Sequence, residues 1–395
     1  MPNPQADPPP SSVLREAVAQ GYDRYLTELE GLVNIDCGSY TPDGVNQVAD
    51  RVEAALLQLG ASVERIAHAP SAGERQLGDL LVGRLGGVGP RVLLIGHMDT
   101  VFDPGTVSLR PFRMQEWRAT GPGTSDMKGG LLAGLHAIGA LQAAGASPAI
   151  TFVANPDEEI GSPFSGPHIR ALAAEHDAAL VLESARANGD IVSARKGIAD
   201  LRVTFHGRAA HAGVEPEKGR NAILAAARAT QELHDLNGRW QGVTVNVGVI
   251  AGGTRPNVVP AQCRVEIDLR AETAATFEEA RVIVERVVST ETVPGVTAEL
   301  AQLAGHPPME RSAGSERLVH LAQAIAGELG FEVHDTLTGG ASDGNTTANA
   351  GLPTLDGLGP IGGDDHSADE WLDLSSVVPR TTLLAGLIAR VGEAL

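Results

Sequence analysis

Cysteine and basic side chains are both scarce in this 395-residue chain: Cys37 and Cys263 are its only thiols, and 30 Lys and Arg face 49 Asp and Glu. Two cysteines so far apart fit no metal-knuckle spacing and are too few for a disulfide framework, so a reducing, cytoplasmic setting is expected. A formal net charge of −19 repels phosphate backbones and anionic lipid surfaces, which argues against general nucleic-acid binding and polybasic membrane attachment. No basic segment followed by an apolar stretch opens the sequence, and residues 1–11 read as a Pro-rich, disordered leader. Long hydrophobic runs are missing too. The one candidate span, residues 129–146, is interrupted by His136 and Gln142 and reads as a buried core helix. What remains is a globular composition, 43% hydrophobic and 20% charged, in a length that suggests two domains.

Apolar residues at helical spacing over 13–33 and again over 46–59, with Gly60 as a stop signal, predict two amphipathic helices. Short β-branched runs at 92–95, 150–153 and 179–182 alternate with helical stretches. That order predicts an α/β fold: a doubly wound, mostly parallel sheet with helices on both faces and its ligands at the carboxyl ends of the strands. From Gly197 the pattern becomes strand (199–205), helix (221–236), strand (243–250), strand (263–269), helix (276–288) and strand (296–300). This βαββαβ sequence predicts a ferredoxin-like domain inserted into the first, over residues 197–306, with 12–196 and 307–395 forming the discontinuous host.

Polar residues follow the predicted strands directly. His97 and Asp99 come after 92–95; a histidine there can ligate a metal through one ring nitrogen while a carboxylate holds the proton on the other. Alone, the pair reads more readily as a surface histidine beside a turn-forming Asp. Asp126 sits in a glycine-rich loop over residues 121–130, whose spacing matches no phosphate cradle and which otherwise reads as a helix N-cap. Asp157, Glu158 and Glu159 follow 150–153, and three successive carboxylates repel unless solvated or neutralised by cations. Glu183 follows 179–182, and His366 lies in a flexible loop near the end of the chain. Each piece is bland by itself. Together they place hard and borderline metal ligands where such a sheet puts its active site, a donor set suited to Zn²⁺ or Co²⁺.

The run His97-Met98-Asp99-Thr100-Val101, the loop around Asp126-Met127-Lys128-Gly129-Gly130, the pair Glu158-Glu159, Glu183 and His366 resemble the di-zinc peptidase and deacylase family. Bacterial glutamate carboxypeptidase, acetylornithine deacetylase and succinyl-diaminopimelate desuccinylase belong to it, and the overall pattern is most similar to glutamate carboxypeptidase. The resemblance implies that the insert is a lid that also forms a homodimer. It implies two Zn²⁺ per chain, replaceable by Co²⁺ or Mn²⁺, one held by His97 and Glu183, the other by Glu159 and His366, with Asp126 bridging. The three carboxylates and a bridging hydroxide then balance the charge of the ions. Asp99 would orient His97, and Glu158 would be the general base that carries a proton from the attacking water to the leaving nitrogen.

The same resemblance puts His211 of the lid in the partner subunit's site, where it helps hold the oxyanion, and Asn257 and Arg270 in contact with substrate. By its own sequence position Arg270 would otherwise make an edge-strand ion pair. Gly339 and Gly340 fall in a loop whose backbone amides suit an anionic group. Where glutamate carboxypeptidase has Gly-Arg-Pro this chain has Gly305-His306-Pro307, which leaves nearby Arg311 as a substitute guanidinium. The implied function is zinc-dependent hydrolysis of an amide bond in small peptidyl or N-acyl amino acids. A desuccinylase- or deacetylase-type amidase is the alternative, and a catalytically silent dimeric relative the reading from another class.

Overall fold

Alternate residues of the strand Val88–His97 enter different hydrophobic clusters, Val92 and Leu94 on one face and Leu93 and Ile95 on the other, so the strand is buried on both sides. It lies inside a six-stranded sheet of order Ser62–Ile66, Leu80–Leu85, Pro148–Asn155, Val88–His97, Ala178–Val181 and Thr354–Leu355. The last four strands pair in parallel; Leu80–Leu85 runs against both its neighbours and, with Ser62–Ile66 outside it, forms one edge. The mostly parallel, doubly wound sheet is therefore present, with an antiparallel margin that the sequence pattern did not show. Only a short connection separates Leu80–Leu85 from Val88–His97, too short for the crossover that a parallel strand needs.

The computed structural model describes residues 7–395, and the expected disordered leader therefore falls largely outside the described residues, with Ser11 already opening the helix Ser11–Gln20. The single helix expected over 13–33 is two helices, Ser11–Gln20 and Tyr22–Val33, parted at Gly21. A Cβ at Gly21 would meet the His136 ring at 3.1 Å, so the break is also a close approach to the helix Gly129–Ala143. That helix is buried nearly throughout, and Gly130 lets it lie against Leu182, whose carbonyl oxygen would be 1.8 Å from a Cβ there. At 15 residues it is too short to cross a membrane. Among the described residues the segment long and apolar enough is Leu374–Glu393, 72% of whose apolar window is buried inside the protein. It packs as core, with Leu383, Leu384, Leu387 and Ile388 in the larger cluster.

The chain divides into two units: residues up to Ser193 with Arg311–Leu337 and Ser342–Leu395, and a second unit of Ala194–Glu310 with Thr338–Ala341. In the second, the strands Gly197–His206, Thr244–Gly252, Gln262–Ala271 and Thr297–His306 and the helices Ala222–His234 and Ala274–Ser289 follow the βαββαβ order. The antiparallel sheet has the order Thr244–Gly252, Gln262–Ala271, Gly197–His206, Thr297–His306. Period-two alternation turns Leu201, Val203, Phe205, Val265, Ile267 and Leu269 toward Ala225, Ala229, Leu233, Ala280 and Val284 of the helices. Asn221 and Thr273 cap the two helices by accepting from Leu224 N and Thr276 N.

The first unit carries one more sheet absent from the sequence reading, four short antiparallel strands in the order Gly362–Gly363, Trp371–Asp373, Arg118–Thr120 and Arg113–Gln115. It brings the loops that carry Asp126 and His366 side by side.

Candidate metal centre

His97 is the last residue of its strand, Glu158 and Glu159 follow the parallel neighbour Pro148–Asn155, and Glu183 follows the other neighbour, Ala178–Val181. Parallel register thus delivers three acids and an imidazole to one edge of the sheet. Asp126 comes from the turn before the buried helix, with φ −113° and ψ 92° in a segment flanked by helical backbone. His366 comes from the added small sheet and has φ 63°, a left-handed conformation it shares with Asp364 at 56°. Trp371 Nε1 donates to Asp364 Oδ2 at 3.0 Å and Arg110 Nη1 to the Ser367 carbonyl at 2.8 Å, which holds that loop.

Asp126 stands between the two histidines. Its Oδ1 is 3.0 Å from His97 Nε2 and its Oδ2 is 3.0 Å from His366 Nε2. Glu183 Oε1 lies 3.7 Å from His97 Nε2, and Glu159 Oε2 lies 3.1 Å from His366 Nε2. Ligand atoms of His97, Asp126 and Glu159 fall within 4.8 Å of one another, and so do those of His97, Glu158 and Glu183. His97 and Glu183 are buried, whereas the His366 side chain is 55% exposed.

Asp99 does more than face His97. His97 Nδ1 is 3.0 Å from the Asp99 carbonyl oxygen and 3.4 Å from its Oδ1, and either partner keeps the proton on Nδ1 and leaves Nε2 for a metal. The buried Asp99 carboxylate also accepts from Ser39 Oγ at 2.7 Å, Glu158 N at 3.1 Å and Glu159 N at 3.2 Å. It therefore ties the strand that ends in His97 to the turn that presents both glutamates. Asp157 turns away from its neighbours into the backbone N–H groups of Phe164 and Ser165, so the three successive acids do not crowd one point.

The charges show what the cluster is built for. Burial disfavours charge on His97, yet Asp126, Asp99 and Glu183 hold its pKa well above the imidazole value. Asp126 and Glu159 raise His366 to about 11. Burial, then the Asp126 charge, pushes Glu159 up to about 7. Burial likewise pushes Glu158 well above the carboxylate range, reinforced by Glu183 and Glu159 and opposed by His97. Against its burial, Asp126 is drawn well below that range by hydrogen bonds with His366 and His97. Carboxylates that resist ionising beside imidazoles forced to hold protons make a site short of positive charge, and divalent cations fit its nitrogen and oxygen donors.

Sequence reading missed Glu370. This buried side chain accepts from Gly123 N at 3.0 Å, Ser125 N at 2.8 Å and Asp126 N at 3.1 Å, so it holds the turn that bears Asp126. The available signal was its position four residues after His366 in the same loop. Lys128 was passed over as well: its buried Nζ donates to the Ile35 and Pro122 carbonyls and closes the same turn from the other side.

The remaining expected residues belong to the second unit. His211 is exposed in the segment after Gly197–His206, bridged to Val258. Asn257 is exposed, and its carbonyl accepts from Ala212 N at 3.0 Å. Arg270 pairs with Asp268, Nη2 to Oδ2 at 2.9 Å, and its Nη1 donates to the Gly339 carbonyl at 2.8 Å. The ion pair is therefore real but not on an edge, because Gln262–Ala271 lies between two other strands. The carbonyls of Gly339 and Gly340 accept from Arg270 and from Arg195 Nη1, a buried arginine the sequence reading did not single out. Arg311, the substitute guanidinium suggested by the sequence, belongs to the first unit, where it is paired with Asp335 and its Nε donates to Ser193 Oγ at 3.2 Å. Outside the centre, His136 is structural, 2.7 Å from Glu28 Oε2 and edge-on to the Tyr25 ring.

Nitrogen and carboxylate donors gathered at the carboxyl edge of a doubly wound sheet are the arrangement of a metal-dependent enzyme. Comparison with known proteins narrows the class. The sequence profile of peptidase family M20/M25/M40 matches residues 93–390, and the chain belongs to that family, metal-dependent hydrolases acting on amide bonds of peptides and acylated amino acids. It is 32% identical over 390 residues to carboxypeptidase G2 of Pseudomonas sp. (strain RS-16), covering 96% of this chain and 92% of that one. To the succinyl-diaminopimelate desuccinylase of Paracidovorax citrulli (strain AAC00-1) it is 29% identical over 360 residues, 85% of this chain and 90% of that one. The crystal structure of aminopeptidase PepT from Bacillus cereus ATCC 10987 has the same fold, with a TM-score of 0.76 over 94% of this chain and 98% of that one at 24% identity.

Proposed function

We propose that the chain is a di-zinc carboxypeptidase or N-acyl amino acid deacylase that works as a homodimer. The observation that carries this reading is Asp126, whose two oxygens face His97 and His366 at 3.0 Å each, with Glu183 and Glu159 beside the respective histidines. His97 and Glu183 would hold one Zn²⁺, Glu159 and His366 the other, and Asp126 both; Co²⁺ or Mn²⁺ would substitute. Bound there, the ions supply Lewis acidity that draws charge from the scissile carbonyl oxygen and acidifies the attacking water. Glu158, fixed at its backbone N by Asp99, takes the proton of that water. Burial favours its protonated form, which suits Glu158 to take that proton, and the more basic leaving nitrogen then receives it.

Residues 12–196 and 307–395 make the catalytic domain in this reading, and 197–306 the lid and dimerisation domain. Arg270 and Asn257 take the substrate carboxylate, Gly339 and Gly340 shape the loop beside it, and His211 acts on the partner subunit's oxyanion. Likeness to carboxypeptidase G2 over 96% of this chain favours release of an amino acid with a free α-carboxylate. Likeness to a succinyl-diaminopimelate desuccinylase over 85% of this chain keeps a desuccinylase-type substrate as the second reading. A screen of N-acyl amino acids and dipeptides against wild type and Arg270→Ala tests the assignment. The expected result is hydrolysis that needs the free carboxylate and a KM that rises in the variant. Hydrolysis indifferent to that carboxylate would contradict it.

A further inference from the structure

Glu370 immediately precedes the strand Trp371–Asp373 of the small sheet, and its side chain is 1% exposed. A carboxyl group so buried loses most of its hydration, and its oxygens need donors from the protein in place of water. Here the donors are three backbone N–H groups of one turn: Oε2 accepts from Gly123 N, and Oε1 from Ser125 N and Asp126 N. Those three amides span the turn from the left-handed Gly123 to Asp126, where the backbone of Asp126 and Met127 departs from helical geometry and no intrahelical hydrogen-bond ladder holds the chain. Yet that side chain must present each oxygen to a different histidine. Rotation of the peptide plane before Asp126 would swing both oxygens together. The bond from Asp126 N to Glu370 resists that rotation.

The loop that supplies the pin also supplies a ligand. His366 and Glu370 are four residues apart, between the paired strands Gly362–Gly363 and Trp371–Asp373. One carboxylate thus couples the position of His366 to the aim of Asp126. We propose that Glu370 is a positioning residue for the metal centre: it fixes Asp126 between His97 and His366, and the affinity of the centre for its ions depends on it. The proposal rests on the reading of Asp126 as a shared ligand.

Glu370→Gln keeps the shape but turns an NH₂ toward an amide that needs an acceptor, so at least one of the three bonds is lost. The experiment measures zinc affinity by chelator competition and the visible spectrum of the cobalt(II)-substituted protein, together with kcat and KM at saturating zinc. Leu384→Ala, a buried change in the core helix, serves as a variant that loses stability without touching the turn. The expected result for Glu370→Gln is a zinc affinity about 10–100-fold weaker, an altered cobalt spectrum, and a fall in kcat with KM little changed. Leu384→Ala should leave affinity and spectrum as in wild type. If Glu370→Gln does not fold, Glu370→Asp, which retains the carboxyl group but withdraws it by one methylene, is read in the same way. Affinity and spectrum equal to wild type in the Glu370 variant, or an equal shift in Leu384→Ala, would overturn the positioning role and leave the metal centre standing. A wild-type chain that binds no zinc would overturn the reading of the centre, and this proposal with it.

Discussion

Two neighbouring glutamates in the turn after Pro148–Asn155 have separate tasks in this account because the chain aims them differently. Glu159 lies against His366, while Glu158 clusters with His97 and Glu183. Removing the proposed proton carrier should spare the proposed ligands: Glu158→Ala is expected to keep its zinc and lose about 10²–10⁴-fold in kcat, measured as metal content and turnover on the same sample. An unchanged kcat in a metal-replete Glu158→Ala protein would exclude Glu158 from the chemistry. Asp99 offers a contrast. Asp99→Ala strips one acceptor from three donors at once, Ser39 Oγ and the backbone N–H groups of Glu158 and Glu159, so it should weaken both metal binding and turnover. A zinc titration that matched wild type would rule that out.

Between elements, the helix Tyr22–Val33 is joined to the buried helix Gly129–Ala143 by the contact of Glu28 with His136 and by Tyr25 OH, which donates to the Gly129 carbonyl at 2.9 Å. Burial opposes ionisation of Glu28, but the hydrogen bond and charge of His136 prevail and its pKa is lowered from 4.5. A carboxylate depressed in the folded state stabilises above its unfolded pKa and loses that contribution as pH falls through the folded value. Glu28→Gln should therefore cost less than about 1 kcal/mol near neutral pH, since the carboxylate is partly exposed, and the gap to wild type should close as pH falls below about 4. Urea unfolding at several pH values measures both, and a gap that widens toward acid would reverse the sign of the argument.

Elements of this kind show how far sequence pattern reaches. The parallel strands and the βαββαβ unit were legible because their apolar residues alternate or run unbroken, as burial on one or both faces requires. His97, Glu158, Glu159 and Glu183 were legible as strand-end residues for the same reason. The small antiparallel sheet was not, since strands of two or three residues carry no period. Glu370 was lost with that sheet: its partners are backbone amides more than 240 residues earlier, and a backbone donor leaves no residue type to recognise. The break at Gly21 was equally silent, because the apolar spacing of the two helices continues across it.

At the scale of the whole molecule, the proposed metal ligands come from one unit, while His211, Asn257 and Arg270 come from the other. That division makes the proposed role of His211 across a dimer testable by mixing. Glu158→Ala and His211→Ala should each be inactive alone. In a mixed dimer one of the two sites combines an intact Glu158 with an intact His211 from the other subunit, so activity should return on subunit exchange. No recovery after confirmed exchange would confine His211 to its own chain or remove it from the reaction. The net charge of −19 also gains a meaning at this scale. Asp99, Asp126, Glu158, Glu159 and Glu183 are gathered at one place, where the proposed cations would offset part of the excess.

The most direct test of a di-zinc hydrolase is to titrate Zn²⁺ into the chelator-stripped protein while following both bound metal and hydrolysis of an N-acyl amino acid. Activity absent at the start and rising to a plateau at two equivalents per chain is the result predicted; full hydrolysis by the metal-free chain would contradict the account.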